Sequence, residues 1–286
     1  METNNTQIID EEFVAKRIEY MKSIPDGIKT GFVDLDYQWV GLRPGNTYLV
    51  AARPAMGKTA FMLNIARNLA VEENKKVAIF SLNQTKEQLV NKLFAIEAEV
   101  EIYHLRTGNV KEDEWERIFN ASQVIGNCNL IINDSMGISV EALEAELSKE
   151  KMSDVQVVFI DYLQLMSSEK EYHDRKKELS FISERLKDIA DKNQVAIVVM
   201  SQLSKLCEER EDHRPILEDL NENGSLISFD QISFIYRDEY YNPNSEWNGV
   251  VEIVTARSRL FGNGTVRLRW KSEYLKFCDV EDENGD

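Results

Sequence analysis

Cysteine is scarce: the 286 residues hold three, Cys128, Cys207 and Cys278, far apart and with no CxxC pair. That excludes a disulfide framework and a cysteine-based zinc site, and it fits a reducing, cytoplasmic setting. Histidine is as scarce and as scattered, with three in all. No apolar run approaches the roughly eighteen residues of a membrane span, so no membrane partner is expected. The opening METNNTQIIDEEF is acidic and polar, where a secretory leader is basic and then apolar. Positive charge is also short, 34 Lys+Arg against 50 Asp+Glu for a net charge of -16. This weighs against tight nonspecific binding to duplex nucleic acid while leaving room for a local basic channel. Internal repeats and low-complexity segments are missing as well.

What is present is enough apolar material, 43% of residues, to fill a substantial core. Residues 10–23, with Phe13, Ile18 and Met21 among charges, predict a short amphipathic helix. Turn residues at 24–27 and 41–45 frame an apolar strand at 47–52, and a helix follows over 58–71. The alternation repeats with strands at 77–81, 129–133, 155–160 and 196–200 and helices at 85–98, 112–126, 140–149 and 176–192. Strands this apolar between helical periods imply an α/β fold with a mainly parallel sheet covered on both faces. The last third changes character, with strands at 232–236, 250–256, 265–270 and 275–278 expected to extend the sheet in antiparallel fashion.

Ala52-Arg53-Pro54-Ala55-Met56-Gly57-Lys58-Thr59 matches the phosphate-loop pattern except that Ala52 stands for its first glycine. The physics survives that change. Amides of Ala55, Met56, Gly57, Lys58, Thr59 and Ala60 can surround phosphates, Lys58 can neutralise the β and γ oxygens, and the Thr59 hydroxyl can ligate magnesium. The second half of such a site is an acid at the end of a buried strand, which Val157-Val158-Phe159-Ile160-Asp161 supplies, with Asp161 as the second magnesium residue. Gln202 ends strand 196–200 in a similar place, where an amide can sense the γ-phosphate. ATP and magnesium are therefore the expected cofactors.

These segments together resemble the ATPase domain of the DnaB-type replicative DNA helicases, RecA-like hexameric motors of bacteria and their phages. The likeness spans residues 27–270. It rests on Thr30-Gly31-Phe32-Val33-Asp34-Leu35-Asp36, on the phosphate loop from Ala51 to Ala60, on Ile160-Asp161-Tyr162-Leu163-Gln164-Leu165-Met166, on Ser201-Gln202-Leu203-Ser204 and on Tyr236-Arg237-Asp238-Glu239-Tyr240-Tyr241. The resemblance implies a RecA-like core at 27–278, preceded by a tail and linker helix at 1–26 and followed by an acidic tail at 279–286. It further implies a homo-hexamer with ATP at each interface, single-stranded DNA as track, a helicase loader or primase as partner, and Arg237 beside the nucleotide. Arg257, where the family usually has lysine, and Arg259 match the residues a neighbour inserts toward the γ-phosphate. Read from the residues alone, the same two arginines only solubilise a hairpin.

Two departures bear on mechanism. The family's Ser-Leu-Glu-Met, whose glutamate polarises the attacking water, is here Ser81-Leu82-Asn83-Gln84. Asn83 can orient a water but cannot take its proton. Glu87, one turn on, is either a substitute or an ordinary surface carboxylate. The family's DNA-gripping Leu-Arg-Glu-Ser-Gly is here Leu220-Asn221-Glu222-Asn223-Gly224, so Asn221 removes a cation while Glu222 and Gly224 remain. Arg175, Lys176 and Lys177 are the best remaining basic cluster, or else the exposed start of a helix. The 26 residues before Gly27 are too few for the family's separate N-terminal domain, as expected of a short paralog or of a piece of a longer chain, the opening Met-Glu-Thr-Asn-Asn favouring the former. A hydrolysis-impaired paralog serving as an ATP-binding assembly module is the alternative to an active helicase. A recombinase or clock-type ATPase of the same fold fits these motifs less well.

Overall fold

In the computed structural model the described residues are 27–260 and 262–280, together with Val14 and Ile18. The expected helix over 10–23 therefore lies outside the described residues except for Val14 and Ile18, which are helical and exposed, and the tail at 281–286 lies outside them too. In chain order the elements are α1 (Val33–Trp39), β1 (Thr47–Ala52), α2 (Lys58–Arg67), β2 (Val77–Ser81), α3 (Lys86–Ala98), α4 (Ile102–Thr107), α5 (Glu112–Gly126) and β3 (Leu130–Asn133). They continue as α6 (Val140–Leu147), β4 (Val157–Asp161), α7 (Arg175–Asn193), β5 (Ala196–Gln202), β6 (Gln231–Tyr236), α8 (Asp238–Tyr241), β7 (Val250–Ser258), β8 (Gly264–Lys271) and β9 (Lys276–Asp279).

The nine strands among the described residues form one sheet in the order β3-β2-β4-β5-β1-β6-β7-β8-β9. Alternate residues of a strand point to opposite faces, so a strand with helices on both sides must be apolar throughout. β1 shows this directly: Tyr48, Val50 and Ala52 join the core under α1, α2 and α3, while Leu49 and Ala51 join the core under α6 and α7. On the first face Trp39 stacks on Tyr48, and its buried indole N–H donates to Thr255 Oγ1 at 3.1 Å. That bond matters because a buried donor left unpaired would cost about 1–3 kcal/mol.

Three boundaries differ from the sequence reading. β6 pairs parallel with β1, and the antiparallel part begins only at β7, because a long crossover returns the chain to the sheet in the original direction. The helix after the phosphate loop is α-helical only to Arg67 and finishes as a π-helical turn, Asn68–Glu72. Thr85 is the cap of α3 rather than its first turn, and its hydroxyl and the Gln88 side chain close a reciprocal capping box.

The register places the site. Ala52 aligns with Gln202 and Ser81 with Asp161, so the ends of β1, β2, β4 and β5 form one rim. The opposite rim is fastened by Asp230, whose buried carboxylate accepts from Thr47 N at 2.9 Å and from Lys187 Nζ at 3.0 Å.

Candidate nucleotide site

The loop leaving β1 reverses through Ala55, at φ 66°, and Gly57, at φ 96°. Only glycine occupies the second conformation without a Cβ penalty, and Gly57 caps α2. The first amides of α2 have no partner within the helix, so they face the cavity beyond the loop as an anion-binding end. That cavity, of 360 Å³, is lined by Pro54, Ala55 and Gly57 to Ala60, by Asn83, Lys92 and Arg106, and by Asp161, Tyr162, Gln202, Trp270 and Leu275. A larger hollow of 790 Å³ lies at the other rim among Asn74, Asn129, Gln156 and Asn193. Its charged side chains, Lys76 and Asp154, come without a helix N-terminus or a phosphate loop, so the chemistry belongs to the smaller cavity.

At the floor Thr59 Oγ1 donates to Asp161 Oδ2 at 2.7 Å, and Lys58 Nζ donates to the Ala52 carbonyl at 3.1 Å. Burial pushes the Asp161 carboxyl up, against the pull of the Thr59 hydrogen bond and of Lys58 and Lys92. Burial likewise lowers Lys58 to about 8, with Asp161 opposing and Arg53 adding to the shift. Burial therefore outweighs the attraction between the two groups, and the pocket carries more cations than carboxylates. One hydroxyl and one carboxylate, hard oxygens side by side, fit magnesium, which usually takes one or two carboxylates and fills its remaining positions with water and phosphate. Among the described residues no cluster of three or more His, Cys, Asp or Glu side chains forms a cage that would hold a metal without such help.

Asn83 lines the same cavity from the turn after β2, where Ser81 Oγ donates to the Gln84 carbonyl at 2.7 Å. Gln84 Nε2 donates to Thr59 Oγ1 at 3.3 Å, and its side-chain oxygen accepts from Lys92 Nζ at 2.5 Å. Glu87 does not line the cavity; it is exposed on the first turn of α3, where hydrogen bonding to its own amide and to Thr85 lowers its carboxyl. Among the cavity-lining residues described, Asp161 is the sole carboxylate.

Sequence reasoning missed Lys92, Arg106, Tyr162, Trp270 and Leu275, all of which line this cavity. Lys92 and Arg106 come from α3 and α4, and a cation on a helix reads in sequence like any solvated charge. Burial, with Arg106 adding and Asp161 opposing, lowers Lys92 to about 8. Arg237 sits behind the loop: its Nη1 donates to the Ala55 carbonyl at 3.3 Å, it pairs with Glu239, and its guanidinium lies 5.8 Å from the Trp270 ring centre. Met56 is buried and does not line the cavity.

Gln202 lines two hollows at once, the nucleotide cavity and a second of 380 Å³ bounded by Gln164, Arg175 and Ser204. Gln164 fixes it there, donating to the Gln202 carbonyl at 2.9 Å and accepting from its amide at 3.2 Å. Arg175 donates to the carbonyls of Gln164 and Met166, while Lys176 and Lys177 are exposed beside it. Gly224 packs on this same turn of α7. A Cβ there would lie 2.1 Å from the Lys176 carbonyl oxygen, and its φ is 72°. Gly224→Ala is expected to push the segment off α7 and to lower unfolding free energy by about 1–3 kcal/mol in denaturant titration; an unchanged midpoint would contradict this packing. The backbones of Asn221 and Glu222 lie in the 3-10 turn Leu217–Asn223, and their side chains lie outside the description.

Arg257 and Arg259 are not brought to the cavity. Arg257 pairs with Ile232 near the start of β6, at the rim away from the phosphate loop. Within one subunit they cannot serve that subunit's own nucleotide.

Residues 27–279 match the family described as DnaB-like helicase C terminal domain. The chain is 40% identical over 258 residues to the replicative DNA helicase DnaC of Bacillus subtilis (strain 168), covering 89% of this chain and 57% of that one. It therefore spans a little over half the length of such curated relatives. Among solved structures, one described as an ATPase domain superposes with a TM-score of 0.88 at 33% identity, covering 96% of this chain and 100% of that one. A DnaB-like replicative helicase, described with its interactions with primase, superposes with a TM-score of 0.89 at 32% identity, covering 98% of this chain and 68% of that one.

Proposed function

We propose that this chain, which belongs to the DnaB-like helicase C terminal domain family, works as an ATP-driven motor domain on single-stranded DNA. The observation that carries the reading is the meeting of Lys58, Thr59, Asp161 and Gln202 in one cavity whose far member also faces the Arg175 hollow. Magnesium held by Thr59 and Asp161 would supply charge neutralisation between the phosphates. Lys58 binds the β and γ oxygens, Lys92 and Arg106 add positive charge at the outer end, and Asn83 orients the attacking water. Gln202 then links the γ-phosphate to the Arg175, Lys176, Lys177 and Gly224 surface. A neighbouring copy supplies Arg259 across an interface, in the ring of six that membership of the family implies. A loader or primase partner and a cytoplasmic setting follow from the same reading.

Light scattering with and without Mg-ATP, combined with anisotropy of a labelled oligo-dT, tests this. The expected result is ring-sized particles that bind the oligonucleotide more tightly with nucleotide; a monomer indifferent to DNA would refute it.

Lys92 makes the binding pH-dependent. Its pKa near 8 must rise when a triphosphate docks, so the free site binds fewer protons than the loaded one above that pH. Lys58 is lowered to about 8 as well, so affinity for Mg-ATP should be flat below about pH 8 and fall by about tenfold per further unit for each of the two lysines, with proton uptake on binding. Calorimetry at pH 7 and pH 9 in two buffers of different ionisation heat measures both. Equal affinities without proton uptake would show that no cavity lysine titrates there.

A further inference from the structure

The segment 224–230 runs between two anchors. At one end Gly224 lies on the first turn of α7, and Ser225 N donates to Ser180 Oγ at 2.7 Å. At the other end Asp230 N donates to the Thr47 carbonyl at 2.9 Å, and the Asp230 carboxylate is fixed by Thr47 and Lys187. Between the anchors only one turn-type bond, from Phe229 N to the Leu226 carbonyl at 3.2 Å, is made within the segment. Ile227 is exposed, while Leu226 and Phe229 are buried in the core and Thr47 Oγ1 donates to the Ser228 carbonyl at 3.3 Å.

Arg257 ties the carbonyls of those two buried residues together. Its Nη2 donates to the carbonyls of both Leu226 and Phe229, the latter at 3.0 Å, while its Nε is buried with no hydrogen-bond partner among the described residues. Arg259 differs: half of its side chain is exposed, it donates to the Ile227 carbonyl, and it lies 3.9 Å from Asp230. A weakly hydrated guanidinium is suited to a half-buried seat under carbonyls, where an ammonium would lose more hydration. The family's usual lysine is arginine at this position.

We infer that Arg257 is a positioning residue that clamps the segment 224–230 of its own subunit through the Leu226 and Phe229 carbonyls, while the half-exposed Arg259 is the arginine turned toward a neighbour. The part played by DNA in this inference rests on the function proposed above; the clamp itself does not. With Arg257 in place, the backbone next to Gly224 and Lys176 is presented in one fixed conformation to a phosphate chain.

The test uses the full chain without nucleotide, so hydrolysis does not enter. Amide hydrogen exchange at Phe229 and Asp230, and the Kd for oligo-dT, are compared in the wild type, Arg257→Met and Arg257→Lys. Arg257→Met keeps the apolar stem and deletes the donors; it should speed exchange at both amides by about tenfold or more and weaken oligo-dT binding by about five- to tenfold. Arg257→Lys should recover part of each loss. Wild-type exchange in Arg257→Met would overturn the clamp, and faster exchange with an unaltered Kd would overturn its part in presenting the backbone to DNA. A wild type that binds no oligo-dT would overturn the DNA reading alone, since exchange still decides the clamp.

Discussion

Asn83→Glu is expected to raise the rate of ATP hydrolysis at saturating Mg-ATP by about 10²- to 10⁴-fold, the usual worth of a positioned general base. Asn83 lines the nucleotide cavity from the turn after β2, on the rim that also carries Asp161. Its amide can hold a water by hydrogen bonds, but it has no basic atom to take the proton. Asp161, the remaining carboxylate lining that cavity among the described residues, already accepts from Thr59. Lys92 and Arg106 beside Asn83 would keep a new glutamate ionised at neutral pH, so it would arrive as a base rather than as an acid. Asn83→Gln is the matching control, equal in length but not basic, and should stay within a few-fold of the wild type. If Asn83→Glu turns over no faster than Asn83→Gln, the proton of the attacking water leaves by another route.

Lys58→Ala is expected to lower turnover by about 10²- to 10³-fold and to weaken nucleotide binding, without unfolding the chain. The stability part follows from the same environment. Burial already pulls this lysine down to about 8, so the folded protein holds its charge at a cost. Deleting a group whose folded pKa lies below its unfolded value removes a destabilising contribution at neutral pH, and the melting temperature should hold or rise. The Ala52 carbonyl loses one donor, which sets the limit of that gain. A variant that binds ATP like the wild type would mean that the loop amides alone hold the phosphates. One that melts far lower would mean that Lys58 is structural.

Most of the sheet was legible because burial on both faces leaves no room for polar residues: β1, β2 and β4 are buried from end to end. Strand direction was not legible. Nothing in Gln231–Tyr236 announces that it runs parallel to β1 rather than back along it, since that depends on the crossover before it. α1 escaped notice because just two of its seven residues, Leu35 and Trp39, are buried, too few for a period. In the site, residues attached to rim strands were readable from spacing alone, as Lys58, Thr59 and Asp161 show. Those arriving by tertiary packing were not: Lys92 and Arg106 look like solvated helix charges until α3 and α4 fold over the loop. Gly224 was legible only as part of a motif, since its partner, the Lys176 carbonyl, is 48 positions back in the chain.

Steady-state Mg-ATP turnover with and without oligo-dT, with Lys58→Ala as the zero, decides whether the Lys58, Thr59 and Asp161 cavity drives a motor on single-stranded DNA. The expected result is a slow turnover, limited by Asn83, that exceeds the Lys58→Ala background and rises when oligo-dT is added. ATP bound normally but hydrolysed no faster than by Lys58→Ala, with oligo-dT making no difference, would contradict it.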